Sequence, residues 1–77
     1  MFGERLNETR KSKGITAQQM ADYLNIGLHS YRKYESNGRQ PALDALVRIA
    51  DRLDVSTDYL LCRDEYLAVL SERAGGR

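Results

Sequence analysis

One leucine and three polar or basic side chains lie close together on the helical stretch predicted for residues 28–36. Leu28 and Arg32 are four residues apart, and so are His29 and Lys33, so the two pairs occupy neighbouring positions on a helix. An arginine can bridge two acceptors of one partner, and a lysine offers a compact cation. This side therefore suits a partner that is rich in hydrogen-bond acceptors or negative charge.

The same inventory argues against catalysis and metal binding. His29 is the only histidine and Cys62 the only cysteine, so neither belongs to a cluster that could hold a metal ion. The sequence contains no nucleophile beside a base and no glycine loop that could cradle a phosphate group. We expect no enzymatic activity, no metal site and no cofactor.

Length and composition point to one small domain with an anionic partner. The 77 residues, 42% of them hydrophobic, suffice for a single modest core. Residues 1–40 carry seven Lys and Arg against four Asp and Glu, a balance of +3, whereas residues 41–77 carry five against seven, a balance of −2. The lone cysteine, the lack of a long apolar run and the absence of an apolar signal segment predict a cytoplasmic protein without membrane association.

Helical signals follow one another along the chain. The sequence predicts helices over about 2–12, 16–24 and 28–36, then a fourth helix after Pro41 and a short fifth helix from Ser56 to Leu61. Thr16 and Gln19 form a capping-box pattern at the start of the second helix. The fourth helix is expected to bury one apolar stripe, which consists of Leu43, Leu46, Ile49, Ala50 and Leu53.

Residues 17–36 have the pattern of a helix-turn-helix motif. A small residue, Ala21, stands where the two helices must cross, and Asn25 tolerates the positive φ that the turn requires. Tyr31 is the apolar anchor that holds the second of the two helices against the first. The outer face of a helix anchored in this way can enter a major groove about 12 Å wide.

These motifs, in this order, resemble the phage-repressor-like Cro/cI-type helix-turn-helix family. The resemblance rests on the runs RLNETRKSKGITAQQMADYL, YRKYE, NGRQP and LVRIADRLDVSTDYLL. It covers a domain at residues 6–61 and implies an all-α fold, a five-helix lambda-repressor-like DNA-binding bundle. Residues 62–77 form a C-terminal segment outside this match, for which we consider an extra helix followed by a flexible tail.

The resemblance also implies a role for each matching residue. The base-reading positions are Leu28, His29, Arg32 and Lys33. The DNA backbone is expected to contact Ala17 and Gln18 at the start of the second helix, and Asn37, Gly38, Arg39 and Gln40 in the loop after the third. Arg10 and Glu35 are expected to form a structural ion pair that fixes the orientation of the third helix.

The function implied is that of a sequence-specific transcriptional regulator, a repressor that binds double-stranded DNA as a homodimer on a palindromic operator. The alternative is an antitoxin-like module, whose main partner is a toxin protein and whose DNA binding is secondary. Polymerase is a further candidate protein partner. The apolar stripe of residues 64–73 could pack back on the domain, join a dimer interface or fray in solution, and we favour dimerisation.

Overall fold

A computed structural model describes residues 2–62 of the chain as five α-helices without a strand. The helices are α1 (Phe2–Ser12), α2 (Ala17–Leu24), α3 (Leu28–Glu35), α4 (Leu43–Leu53) and α5 (Thr57–Leu60). The predicted all-α, five-helix architecture is confirmed over this range. The helix considered for residues 64–73 lies outside the described residues. No helix within 2–62 has the length and apolarity needed to cross a membrane.

The start of α2 is held by the predicted capping box. The Thr16 hydroxyl accepts a hydrogen bond from the N–H of Gln19 at 3.0 Å, and the Gln19 side-chain oxygen accepts from the N–H of Thr16 at 2.8 Å. Two donors that the helix cannot pair internally are thereby satisfied. The capping box thus fixes where α2 begins, directly after the turn that ends α1.

The turn between α2 and α3 depends on the left-handed conformation of one residue. Asn25 adopts φ 58° and ψ 44°, which the sequence predicted at this position. The next residue, Ile26, donates its N–H back to the carbonyl of Ala21 at 3.0 Å. This bond closes the end of α2 and allows α3 to begin two residues later, after Gly27.

One core joins all five helices. Its buried apolar members are Leu6, Ile15, Met20, Ala21, Leu24, Tyr31, Tyr34, Leu46, Ile49, Ala50, Leu53 and Leu60. Ala21 is fully buried on α2, the helix that packs against α3, and its small side chain allows a close approach of the two helices. Because Tyr31 and Tyr34 belong to this core, it fixes the position of α3 relative to the other helices.

One member of the predicted α4 stripe is wrong. Leu46, Ile49, Ala50 and Leu53 are buried, but Leu43 is 76% exposed. Leu43 is the first residue of α4, and side chains in an α-helix lean toward its N-terminus. The Leu43 side chain therefore projects past the end of the helix instead of packing on the core.

Candidate nucleic-acid interface

The outer face of α3 presents the basic side chains that the sequence singled out. His29, Arg32 and Lys33 are exposed, whereas Leu28 and Ser30 are half-buried. These side chains lie within two turns of α3. Leu28 differs from the other candidates, because part of its surface is already covered by the domain.

The inner face of α3 is anchored by two tyrosines. Tyr31 is fully buried and Tyr34 is 7% exposed, as the sequence indicated for both. Their rings pack edge to face, with centroids 6.2 Å apart and planes at 82°. This arrangement is favourable for aromatic pairs and leaves the helix little freedom to roll about its axis.

A polar network fixes the end of α3 to α1. Arg10 Nε donates to Glu35 Oε2 at 2.6 Å, and Arg10 Nη2 donates to Glu35 Oε1 at 3.1 Å. Asn7 Nδ2 adds a 2.6 Å hydrogen bond to Oε1, and the Tyr31 hydroxyl donates to Oε2. A further bond, from Arg10 Nη1 to the Ile15 carbonyl at 2.9 Å, extends the network to the turn before α2. The structure thus brings Arg10 and Glu35 together at the junction of α1 and α3.

The network keeps both members of the ion pair charged. Burial by itself would raise the pKa of Glu35, but hydrogen bonds from Arg10, Tyr31 and Asn7 outweigh it and lower the pKa. The hydrogen bond to Glu35 raises the pKa of Arg10. Burial, followed by the neighbouring carboxylate, raises the pKa of Tyr31, so its hydroxyl stays a donor. Because the Glu35 carboxylate is paired with Arg10, it adds no unpaired negative charge to the outer face of α3.

The first turn of α2 offers backbone donors. Residues at the start of a helix have N–H groups without an intrahelical acceptor, and here the capping box uses those of Thr16 and Gln19. Ala17 and Gln18 stand between them, and Gln18 is exposed while Ala17 is half-buried. The Gln18 amide is held by a 2.9 Å bond to Asp22 Oδ1. The backbone of this turn suits an anion, which the helix dipole also favours.

The loop after α3 turns its backbone donors toward the helix. The N–H groups of Gly38 and Arg39 both donate to the carbonyl of Lys33, at 2.9 and 3.3 Å. Asn37 takes the left-handed conformation, with φ 63°. The side chains of Arg39 and Gln40 are exposed, and both offer polar groups to solvent.

The Asn37 side chain is used to join this loop to α1. Its Oδ1 accepts the N–H of Gly3 at 2.9 Å, and its Nδ2 donates to Glu4 Oε1. A Cβ at Gly3 would lie 2.4 Å from the carbonyl oxygen of Glu35, so only glycine allows this approach. We call these contacts of Gly3, Glu4 and Asn37 the α1–loop junction.

Comparison with known proteins identifies this arrangement. The family described as Helix-turn-helix matches residues 6–60. The chain belongs to this family, of the Cro/cI type. The matched range includes both partners of the Arg10–Glu35 pair and all of α2 and α3.

Several helix-turn-helix regulators are similar to the chain. The SPbeta prophage-derived HTH-type transcriptional regulator YonR of Bacillus subtilis is 49% identical over 61 residues, which are 79% of this chain and 56% of YonR. The cryptic phage CTXphi transcriptional repressor RstR of Vibrio cholerae is 48% identical over 60 residues, 78% of this chain and 54% of RstR. The chain thus spans about half the length of these relatives. They are named as regulators of transcription, which agrees with the prediction that the chain is not an enzyme.

A solved structure extends the similarity to the backbone. The crystal structure of SinR, a master regulator for biofilm formation, in complex with DNA matches with a TM-score of 0.71 and 29% identity. The match covers 79% of this chain and 98% of the SinR chain. The predicted fold is therefore confirmed as that of helix-turn-helix transcription regulators.

Sequence reasoning missed several residues that position the helix-turn-helix motif. Asn7 stands three residues before Arg10 on α1, and this spacing was a usable signal for a shared partner. The pairing of Gly3 with Asn37 spans 34 residues and had no local signal.

Within residues 2–62, no group of three metal-ligating side chains is assembled.

Proposed function

We propose that the chain is a sequence-specific DNA-binding repressor that acts as a homodimer on a palindromic operator. The observation that carries the proposal is the two-faced character of α3. Its inner face is fixed by Tyr31 and the Glu35 network, and its outer face exposes donors without a structural task in the domain. A rigid helix with free donors is the element that reads base edges in a major groove.

The exposed side chains of α3 divide the work of recognition. Arg32 can donate to both acceptors of a guanine, a contact that discriminates between bases. His29 can donate to a base edge from the preceding turn, and Lys33 can read a base or hold a phosphate. Leu28 is half-buried, and its remaining surface suits the methyl group of a thymine.

The DNA backbone would be held on both sides of α3. On one side, the N–H groups of Ala17 and Gln18 meet a phosphate at the positive end of α2. On the other side, the contact falls to Arg39 and Gln40, since Asn37 and Gly38 are engaged within the domain. Phosphate contacts of this kind set the register of the protein without reading sequence.

Similar proteins support DNA binding and repression. SinR is the protein whose solved structure contains DNA, and RstR is named a transcriptional repressor. A single α3 reaches few base pairs, whereas two copies on a palindrome double the contacts. Two-fold symmetric regulators of this kind place their recognition helices about 34 Å apart, on one face of the duplex.

Selection of bound duplexes from a randomised pool, repeated at two salt concentrations, tests the proposal. We expect a palindromic motif whose enrichment persists at the higher salt, because base contacts depend less on counterion release than phosphate contacts do. The proposal would be contradicted if no motif were enriched and if binding vanished as the salt concentration rose. That result would favour the antitoxin-like alternative, which co-purification with a toxin protein would then examine.

A further inference from the structure

An apolar groove lies beside the C-terminal end of the loop that follows α3. It has a volume of about 280 Å³ and is formed by the start of α1, the segment before α4, the first turn of α4 and the residue that ends α5. The lining residues are Phe2, Gln40, Pro41, Leu43, Leu46 and Leu61. A neighbouring recess shares Phe2, Gln40 and Leu61 with the groove, so the two are continuous.

Two of the leucines that line the groove leave apolar surface uncovered. Leu43 is 76% exposed and Leu61 is 43% exposed, although both border the partly buried Phe2. A scattered exposed leucine needs no explanation, but contiguous apolar side chains around a concavity mark a surface that another segment covers.

The chain itself leaves the described residues at this groove. Cys62 lines the neighbouring recess, and its left-handed backbone, φ 61°, turns the chain away from the axis of α5. The residues that follow carry apolar side chains at helical spacing, Tyr66, Leu67 and Leu70. Four residues of extended chain reach about 13 Å, which is enough to bring Tyr66 over the groove.

We propose that residues 64–70 dock in this groove of their own chain. A tethered segment has an effective concentration in the millimolar range for a short linker, so a few apolar contacts suffice to hold it. A second copy, by contrast, needs about 800 Å² of complementary surface on each partner for a stable interface. The groove offers only a handful of apolar side chains, which favours the tethered segment over a second copy.

The first test compares two substitutions on α4 in the full chain. Leu43→Ser should lower Tm by about 5–10 °C, because docking would bury a leucine that the rest of the domain leaves exposed. Val47→Ser is the matched control, one helical turn further along and outside the groove lining, and it should lower Tm less. Exposure within residues 2–62 predicts the opposite order, since Val47 is only 42% exposed.

The second test identifies the occupant of the groove. We expect isotope-filtered NOEs in a mixture of labelled and unlabelled full chain to connect Leu43 with Leu67 or Leu70 within one molecule. The substitution Leu67→Ser should abolish them and make a subsequent Leu43→Ser nearly neutral, whereas Ala68→Ser should preserve them. Contacts between labelled and unlabelled molecules would assign the groove to a second copy and overturn the proposal. An unchanged Tm in Leu43→Ser, without NOEs to the segment, would overturn it as well.

Discussion

Two arginines with the same chemistry occupy different parts of the proposed interface. Arg32 lies on the outer face of α3, whereas Arg39 lies in the loop after it, and both are exposed. We therefore expect different roles for them, because a guanidinium that faces the groove would meet base edges and one in the loop would meet phosphates. The two residues form a matched pair of alanine substitutions.

For Arg32→Ala we expect a loss of about 1–3 kcal/mol at the selected site and a relaxed preference at one base step. The reason is that a bidentate contact to guanine would disappear while phosphate contacts remain. Titration of the selected duplex and of its single-base variants measures both effects. An equal loss on every duplex would show that Arg32 does not read a base.

Arg39→Ala should weaken binding to all duplexes alike. One phosphate contact would be lost, so the slope of log affinity against log salt should become shallower by about one. Affinity measured over a range of salt concentrations on selected and unrelated duplexes checks this. A changed base preference would remove Arg39 from the backbone clamp.

The α1–loop junction permits a charge-swap experiment. Asn37→Asp places a carboxylate against that of Glu4, so it should displace the loop and weaken DNA binding about tenfold, a change of about 1.4 kcal/mol. Adding Glu4→Gln restores a donor and acceptor pair, and the double variant should recover most of the affinity. Glu4→Gln alone serves as the control.

The rescue separates two roles for Asn37. If its side chain contacted a phosphate directly, an aspartate would repel the DNA whichever residue occupied position 4. Failure of Glu4→Gln to restore binding would therefore support direct contact. Rescue would instead make Asn37 a positioning residue, which holds Arg39 and Gln40 through α1.

At the scale of elements, the Arg10–Glu35 network makes α1 a support for α3. Both side chains of the pair are about nine-tenths buried, and Glu35 accepts from donors on two helices. Removing one partner leaves the other charge buried without compensation. The orientation of α3 therefore depends on a carboxylate at its C-terminal end that is bonded to α1.

Glu35→Gln should lower the free energy of unfolding by about 3 kcal/mol at neutral pH, because Arg10 would lose its counter-charge. The lowered pKa of Glu35 means that the pair's stabilisation is present above its ordinary value of 4.5 and lost as the pH falls through the folded pKa. Wild-type Tm should thus fall more steeply below pH 4.5 than that of Glu35→Gln. Glu8→Gln, on the exposed side of α1, is the control. Parallel curves for the two proteins would contradict this account.

Local sequence signals predicted the helices and their ends well. The features that the sequence did not predict depend on contacts between residues far apart in the chain. Thr16 with Gln19, and Asn25, act through bonds to residues at most four positions away, so the sequence contains their whole physical cause. The exposure of Leu43 depends instead on how far α4 extends past the core. The Gly3–Asn37 bond likewise depends on two elements that meet only after folding.

In the candidate interface, too, features with a local cause were predictable from the sequence and features that depend on long-range contacts were not. The outer face of α3 was predictable, because the buried positions of Tyr31 and Tyr34 determine which residues face outward. The loop after α3 was predicted only as a unit, without the separate tasks of its residues. Its backbone donors turn toward Lys33 and its Asn37 amide toward α1, which no spacing rule could show.

At the scale of the whole molecule, the proposed homodimer is tested by the phase of its half-sites. Two copies related by a two-fold axis reach one face of the duplex only if their half-sites are separated by whole helical turns. Inserting five base pairs between the half-sites of the selected operator rotates one by about half a turn. Binding should then fall to that of a single half-site, measured by titration, and ten inserted base pairs should restore part of it. If the insertion left the affinity unchanged, the chain would bind each half-site as a monomer. That result would exclude the proposed homodimer but not sequence-specific binding.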